Sequence, residues 1–283
     1  MEPILQLRGV NKSFGAVQAL RNVDFEVYAG EVVGLVGDNG AGKSTLIKIV
    51  AGVYSADSGN YLIDGRRVSV SRPQDANHLG IETVYQDLAL CDNLDVVSNL
   101  FLGREETVNN LPFMSSNEME RRTIEVLHQL DVKIRSVRAP VATLSGGQRQ
   151  SIAVAKTILR NARMVILDEP TAALGVAQTK QVLNLIKRLR SQGLGVVVIS
   201  HNLADVFEVV DRVIVMRLGR RVASFDIKST TTEQVVAAIT GAEFSDNADS
   251  RGGGVGPATT PSDDGSGNGN AQGHQHEQGK RGA

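Results

Sequence analysis

The sequence predicts an α/β fold with a mostly parallel sheet, and three short apolar runs carry this prediction. Residues 32–36, 164–167 and 196–199 are apolar apart from one glycine. Continuous apolar runs of this length are typical of strands that are covered on both faces, as parallel strands usually are. Helical patterns begin near residue 46 and span residues 178–189, between these runs. Strands that alternate with helices favour a parallel sheet.

Alternating apolar and polar residues predict antiparallel strands elsewhere in the chain. Residues 4–10 alternate in part and residues 23–27 alternate before a turn, so we expect an antiparallel β subdomain at the N-terminal end, covering an edge of the core. Residues 59–70 predict a second hairpin that turns at Asp64 and Gly65. Residues 212–225 predict a final hairpin that turns at Leu218 and Gly219.

The pattern is mostly helical from about residue 73 to about residue 160, which predicts an inserted helical subdomain. Residues 117–130 form an amphipathic pattern, and residues 149–160 form a strong helical one. Thr230 and Glu233 have the spacing of a capping box, which predicts a last helix over residues 233–239. We therefore expect one domain over residues 1–244.

Residues 245–283 differ from the rest of the chain in composition. They contain no aromatic residue and are rich in Gly, Asn, Ser, Asp and Gln. Such a segment cannot bury enough apolar surface to offset the entropy lost on ordering. We expect a disordered C-terminal tail.

Composition excludes several classes of protein. The formal net charge of −1 over 283 residues gives no global electrostatic case for nucleic-acid binding. The apolar runs are too short to cross a bilayer, and the first residues lack the basic start and apolar core of a secretion signal. Cys91 is the single cysteine, so no disulfide forms within the chain. These observations together predict a cytosolic protein.

The most informative motif follows the first apolar run. It reads Gly37, Asp38, Asn39, Gly40, Ala41, Gly42, Lys43, Ser44 and Thr45, and a helical pattern follows it. A glycine-rich loop between a strand and a helix lets backbone N–H groups surround phosphate oxygens, and the helix N-terminus adds partial positive charge. Lys43 is placed to neutralise the β- and γ-phosphates, and the Ser44 hydroxyl to ligand Mg²⁺. The sequence therefore predicts a P-loop nucleoside triphosphatase core.

Two further strand ends carry polar residues suited to this chemistry. Asp168 and Glu169 end the second apolar run, and His201 follows the third. Ligands of open parallel sheets lie beyond the carboxyl ends of the strands, so both carboxylates are expected in the crevice of Lys43. Asp168 is then placed to hold Mg²⁺ and Glu169 to polarise an attacking water. His201 is either a γ-phosphate donor or an ordinary surface or core histidine.

Other candidates are ambiguous when each is taken alone. Phe14 lies at a turn, where an aromatic ring can stack on a purine or pack under the hairpin. Gln86 lies at the end of a strand predicted over residues 84–87, where a solvated or capping glutamine is ordinary. Ser145, Gly146, Gly147 and Gln148 precede a helix, as in a common capping turn that also suits an anion.

Taken together, these motifs resemble the ATP-binding subunits of ABC transporters over about residues 4–241. The phosphate loop, Gln86, the signature of residues 144–148, the Asp168–Glu169 strand and His201 occur in that family's order. The resemblance implies ATP and Mg²⁺ as ligands, with Gln86 touching the metal or its water, Glu169 as general base and His201 at the γ-phosphate. It also implies that Phe14 stacks on adenine.

The same resemblance implies that the active site is shared between two chains. Ser145, Gly146 and Gly147, with Gln148, would close over ATP bound to a second copy, as in an ATP-sandwich homodimer. Hydrolysis would then drive polytopic membrane permease subunits, supplied by an extracytoplasmic sugar-binding protein. The chain would act at the cytoplasmic face of the membrane as a peripheral subunit.

A finer resemblance is to monosaccharide importers of the ribose and xylose type. Residues 37–42, 84–90, 99–105 and 169–175 are similar to that group. Many of its members fuse two ATPase units, whereas this chain has one. Gly175 departs from the wider family, which has Asp there, so a carboxylate expected to act across the dimer is missing.

Two other functions are compatible with a nucleotide-binding core. One is a soluble ABC-type switch acting on nucleic acid or ribosomes, and the near-neutral charge and single ATPase unit count against it. The other is a regulatory subunit that binds nucleotide without catalysis, and the complete set of Lys43, Asp168 and Glu169 counts against that.

Overall fold

The structure is a computed structural model that describes residues 2–108 and 113–242. The predicted tail of residues 245–283 lies outside the described residues. The strands, in chain order, are β1 (Leu5–Phe14), β2 (Val17–Val27), β3 (Val32–Val36), β4 (Ser58–Ile63), β5 (Arg66–Arg67), β6 (Ile81–Val84), β7 (Met164–Asp168), β8 (Gly195–Ile199), β9 (Arg212–Arg217) and β10 (Arg220–Asp226). The helices are α1 (Lys43–Val50), α2 (Pro73–His78), α3 (Val96–Phe101), α4 (Ser116–Gln129), α5 (Gly146–Leu159), α6 (Val176–Ser191), α7 (Leu203–Val209) and α8 (Thr232–Thr240).

A six-stranded sheet forms the centre of the fold, and it confirms the α/β prediction. Its order is β10-β9-β3-β8-β7-β6, with parallel pairing throughout except between β9 and β10. Successive residues of β7 alternate between two hydrophobic clusters: Val165 and Leu167 lie in one, and Met164 and Ile166 in the other. Because both faces are covered there, β3, β8 and β7 up to Leu167 carry no polar side chain.

One face of this sheet packs against helices. Buried side chains of α3, α4, α5 and α6 share a cluster with Val165 and Leu167. The strand β6 lies within the stretch predicted to be mostly helical, and it pairs with β7 at the edge of the sheet. The inserted helical subdomain, predicted to start near residue 73, therefore begins with α3, after β6. In the part of the chain that is described, no helix is long and apolar enough to cross a membrane.

The other face packs against α1 and a separate four-stranded antiparallel sheet of order β2-β1-β4-β5. Phe25 of this sheet and Leu46 of α1 are fully buried in the same cluster as Met164 and Ile166. The predicted antiparallel subdomain is confirmed, but its expected location at an edge is wrong. Its strands bond among themselves and cover a face, because their apolar side chains need α1 and the sheet for burial.

The predicted hairpins are confirmed, and several boundaries differ. β4 and β5 turn at Asp64 and Gly65, although β5 has only two residues. The helix predicted from residue 46 begins at Lys43. The last helix uses Thr231 as its cap, paired with Gln234, rather than Thr230 with Glu233. Three adjacent threonines offer competing caps, and the chain geometry selects the middle one.

Candidate functional site

Four neighbouring strands bring the predicted site residues to one edge of the sheet. β3, β8, β7 and β6 are adjacent and parallel, so their carboxyl ends lie side by side. Ile199 is in register with both Leu35 and Asp168. The segments that follow these strands carry Gly37, His201, Glu169 and Gln86 respectively. The order of the strands therefore places these four residues along the crevice that the motifs predicted.

The phosphate loop requires glycine at two positions for steric reasons. Gly37 has φ of 147°, and a Cβ added there would overlap the carbonyl oxygen of Met216. Gly42 has φ of 103°, and a Cβ there would lie 2.9 Å from the carbonyl oxygen of Ala19. Neither backbone angle suits a residue with a side chain. The loop is held between the two sheets in a conformation that only glycine permits.

Lys43 opens α1 and connects the loop to the acidic residues. Its Nζ donates to the carbonyl oxygens of Gly37 at 2.5 Å and Asp38 at 3.0 Å. Burial lowers the pKa of Lys43 below its ordinary value, and the charges of Glu169, Asp38 and Asp168 act in the opposite direction. The ammonium group therefore lies within the electrostatic reach of Glu169, the predicted general base, and of Asp168, the predicted metal ligand.

The N-terminus of α1 is open to a ligand. Its cap is Gly42, and among the described residues no side chain bonds to the first N–H groups of this helix. Exposed N–H groups at a helix N-terminus attract anions through their hydrogens and through the helix dipole. The helix start and Lys43 together form an anion site.

Asp168 and Glu169 lie next to each other at the end of β7. Burial raises the pKa of Asp168 above its ordinary value, the charge of Glu169 adds to the rise, and the charges of Lys43 and Lys48 oppose it. Two carboxylates in a half-buried position repel one another, and a cation would relieve that repulsion. The pair is thus suited to a bound metal or a positively charged group.

Glu169 has an unusual backbone and a specific partner. Its φ is +50°, uncommon for a residue with a side chain, and its N–H donates to the carbonyl oxygen of Ile199 at 2.9 Å. Its Oε2 lies 2.9 Å from Nδ1 of His201. The glutamate side chain is 19% exposed and the histidine side chain 81% exposed. The structure therefore brings His201 to Glu169, which sequence reasoning treated as separate residues.

The position of His201 depends on its neighbours. Ser200 is buried, and its Oγ accepts from the N–H of Asn202 at 3.1 Å. Asn202 in turn caps α7 by accepting from the N–H of Ala204 at 3.1 Å. These bonds stabilise the turn between β8 and α7, which carries His201.

The side chains of Gln86 and Phe14 are exposed to solvent. Gln86 is exposed, two residues beyond the end of β6. The Phe14 ring packs edge-on against Tyr54, with the ring centroids 5.2 Å apart, and remains 44% exposed. It does not line the cavity at the phosphate loop. Stacking of Phe14 on adenine remains a prediction, and its contact with Tyr54 fits the alternative of hairpin packing.

The cavity at the phosphate loop has a volume of about 410 Å³. Besides loop residues 39–45, its walls come from β2 and from the turn between β9 and β10, namely Val17, Gln18, Ala19, Arg21, Leu218 and Gly219. Sequence reasoning placed Leu218 and Gly219 only in a hairpin turn. No local signal in the sequence connects that turn with a loop so distant along the chain.

The signature turn lies in different surroundings. Ser145 caps α5: its Oγ accepts from the N–H of Gln148 at 3.3 Å, and Gln148 Oε1 accepts from the N–H of Ser145 at 3.0 Å. Both residues line a cavity of about 490 Å³ between α5, α6 and residues 130–133, which follow α4. This cavity and the one at the phosphate loop share no residue among those described.

The two glycines of the signature turn pack tightly within the chain. A Cβ on Gly146 would lie 2.8 Å from Cδ2 of Leu174, and one on Gly147 would lie 3.1 Å from Cβ of Gln178. Glycine at these positions lets α5 approach the start of α6. Within one chain, the structure does not bring Ser145, Gly146, Gly147 and Gln148 into the wall of the phosphate-loop cavity.

The residues present fit a magnesium ion by their chemistry. Ser44 offers a hydroxyl oxygen, Asp168 a carboxylate and Gln86 an amide oxygen, which are the hard donors that Mg²⁺ takes alongside water and phosphate. No cluster of three or more His, Cys, Asp or Glu suited to a metal occurs in the described ranges. A site of this kind therefore depends on the phosphates of the ligand to complete its coordination.

Comparison with known proteins gives a consistent assignment. The family model described as ABC transporter matches residues 20–172. The chain is 44% identical to the xylose/arabinose import ATP-binding protein of Sulfolobus acidocaldarius, covering 85% of this chain and 95% of that protein. It is also 44% identical to the fructose import ATP-binding protein of Rhizobium meliloti, covering 86% and 95%.

Longer relatives and a solved structure agree. The chain is 38% identical to the ribose import ATP-binding protein of Caldanaerobacter subterraneus subsp. tengcongensis, over 87% of this chain but 49% of that protein. The ADP conformation of an ATP-binding cassette of an ABC transporter superposes with a TM-score of 0.74 and 26% identity, over 85% of this chain and all of that one. The chain belongs to the ATP-binding proteins of the ABC transporter family.

Proposed function

We propose that this chain hydrolyses ATP to power the import of a monosaccharide through separate membrane permease subunits. One observation carries the ATPase part: the open start of α1, Lys43, Asp168 and the Glu169–His201 pair lie at one edge of the sheet. The import part rests on relatives named as import proteins for xylose or arabinose, fructose and ribose. The specific sugar would be selected by partner proteins.

The chemistry follows from the positions of the side chains. The N–H groups at the start of α1 and the Lys43 ammonium would hold the phosphates and offset the charge that develops on them. Ser44, Asp168 and Gln86 would hold Mg²⁺, which neutralises phosphate charge when bound. Glu169 would accept the proton of the attacking water, and His201 keeps the glutamate side chain in place through its Nδ1 contact at 2.9 Å.

The site also needs a second copy of the chain in this proposal. The Ser145 turn lies outside the phosphate-loop cavity of its own chain, so it is free to meet a nucleotide held by another. Solved relatives include dimeric cassettes, one of them bound to ADP and Pi. A homodimer with two shared sites, peripheral at the cytoplasmic face of the membrane beside its permease, is the assembly we propose.

The experiment is to replace Glu169 by Gln and measure ATP turnover and association. Removing the proton acceptor should lower turnover by about 100-fold or more while leaving ATP binding intact. The variant should then form an ATP-dependent dimer, detected by light scattering. Glu208→Gln is the matched control, since Glu208 is a surface residue paired with Lys187 at 2.9 Å. Turnover of Glu169→Gln equal to that of wild type would remove Glu169 from its proposed role.

The transport part has a separate test. Wild-type protein is co-expressed with candidate permease subunits and reconstituted in vesicles, and ATP turnover is measured with xylose, arabinose, fructose or ribose and a cognate binding protein. Stimulation by one of these sugars supports import. Robust turnover that no monosaccharide changes would contradict the sugar assignment and leave the ATPase assignment standing.

A further inference from the structure

A second side-chain contact joins the two segments that carry Glu169 and His201. The hydroxyl of Thr171 donates to Oδ2 of Asp205, with Oγ1 and Oδ2 2.7 Å apart. Thr171 lies two residues after Glu169, and Asp205 lies in the first turn of α7, four residues after His201. The bond therefore links the same two segments as the contact between the glutamate and the histidine.

The backbone ties Thr171 closely to Glu169. The N–H of Ala172 donates to the carbonyl oxygen of Glu169 at 3.1 Å, which closes a tight turn around Thr171. Pro170 lies between the two residues, and its ring fixes one of the backbone angles of this turn. A displacement of Thr171 would therefore displace the glutamate as well.

The backbone pairing between β7 and β8 ends where these segments begin. The last residues in register are Asp168 and Ile199, and the N–H of Glu169 adds one further bond to the carbonyl oxygen of Ile199. Beyond this point the segments lead into α6 and α7, and side chains provide the remaining links. Lys187 and Glu208 also join α6 to α7, but their side chains are 39% and 47% exposed, so this ion pair contributes little.

The bond between Thr171 and Asp205 is better protected from water than that surface pair. Thr171 is buried and Asp205 is half-buried. A hydroxyl that donates to a carboxylate makes a charge-assisted bond, which is stronger than a bond between neutral groups. A buried hydroxyl without an acceptor is also costly. Both effects favour one fixed geometry for the turn that follows Glu169.

We propose that Asp205 is a positioning residue: through Thr171 it holds the turn that carries Glu169 against the segment that carries His201. In this role, which rests on the proposed function of Glu169 as general base, Asp205 contacts neither the nucleotide nor the attacking water. A displacement of a catalytic group by about 1 Å can lower a rate by about 100-fold. Loss of the bond should therefore affect turnover and leave nucleotide binding intact.

The test measures kcat and KM for ATP, and the affinity for ADP, with the full chain. Asp205→Ala and Thr171→Val each remove one partner of the bond, and each should lower kcat by about 10-fold without changing KM or ADP affinity. Thr171→Ser keeps the donor and Asp205→Asn keeps an acceptor, so both should retain kcat within about 3-fold of wild type. Glu208→Ala is the matched control, because it removes another carboxylate of α7 that binds α6 and should leave kcat unchanged.

A second measurement separates positioning from a loss of stability. Asp205→Ala is combined with Glu169→Gln, and turnover of this double variant is compared with that of Glu169→Gln alone, below the melting temperature of both. Because Asp205 acts through the glutamate carboxylate in this proposal, adding Asp205→Ala should lower the residual turnover by less than about 2-fold.

Two outcomes would overturn the role of Asp205. An equal fold-loss from Asp205→Ala in the presence and absence of the Glu169 carboxylate would show that Asp205 acts independently of the general base. Wild-type kcat in Thr171→Val would show that the bond does not position anything needed for turnover. Glu169→Gln with the turnover of wild type would instead contradict the proposed function, and the positioning role would fall with it.

Discussion

Two helices of this protein begin next to glycines, and they differ in whether a side chain caps the N-terminus. α1 begins after Gly42 with no side-chain cap among the described residues. α5 begins after Ser145, and a reciprocal pair of bonds joins the N–H groups of Ser145 and Gln148 to each other's side chains. A helix start that is left open keeps its donors for a ligand, while one that is capped is stable without a ligand.

The residues around the two helix N-termini also differ. The open start of α1 carries Lys43, which has three carboxylates of the same chain within electrostatic reach. The capped start of α5 borders a polar cavity, which an ion pair of 2.5 Å between Arg188 and Asp131 also lines. One region is a nearly complete anion site by itself, and the other has an anion-ready turn without a ligand site of its own. A site divided between two copies would require this asymmetry.

The largest expected effect comes from removing the positive charge at the open helix. Lys43→Ala should weaken binding of ADP or ATP by about 100-fold or more, because charge-assisted bonds to phosphate are lost. Titration of single chains with a fluorescent ADP analogue measures this. Lys228→Ala, at an exposed lysine remote from the cavity, is the control. Comparable affinity in both variants would mean that the anion site is elsewhere.

A smaller effect should distinguish the role of the capped helix. Ser145→Ala and Thr231→Ala each remove a capping box and should each lower the free energy of unfolding by about 1 kcal/mol. Only Ser145→Ala should also lower ATP turnover, by about 10-fold or more, since its hydroxyl would contact nucleotide on the second copy. Urea unfolding and a turnover assay measure the two quantities. Binding of ADP to single chains should be normal in both variants.

An equal loss of turnover in the two variants would contradict this role of Ser145. It would mean that turnover follows stability alone, and that the signature turn is an ordinary cap.

The smallest expected effect concerns Gly175, where the family resemblance led us to expect Asp. Gly175 caps α6 with φ of −73°, and a Cβ there meets nothing within 4 Å. Gly175→Asp should therefore fit without strain and stabilise the protein by a few tenths of a kcal/mol through a side-chain cap. Gly175→Ala adds a Cβ without a hydrogen-bond acceptor, so it should not stabilise the protein. Thermal unfolding compares them, and a lower stability of the aspartate variant would show that this position is restricted by contacts not apparent from its open surroundings.

Turnover of the same aspartate variant tests the consequence of this departure. A carboxylate restored at residue 175 should change how turnover depends on ATP concentration, if the two sites of the dimer communicate through it. An identical ATP dependence in wild type and variant would show that coupling does not use this position.

Much of the site was accessible from the sequence because its signals are local. The order of strand, glycine loop, lysine and helix predicts the phosphate loop, and an apolar run predicts that Asp168 and Glu169 lie at a strand end. Parallel strands place their carboxyl ends at one edge, so convergence with Lys43 followed from fold class alone. Errors of one to three residues arose at helix starts: α1 begins at Lys43 without a side-chain cap to mark it, and adjacent threonines offer similar caps for α8.

The sequence by itself determined the fold class, the phosphate loop and the acidic strand end, because each depends on residues close together in the chain. Only the tertiary structure decided that His201 contacts Glu169, that the antiparallel sheet covers a face, and that Leu218 lies beside the phosphate loop. These relations join segments distant in the chain. They depend on packing between sheets and on the geometry of turns, for which local patterns carry no information.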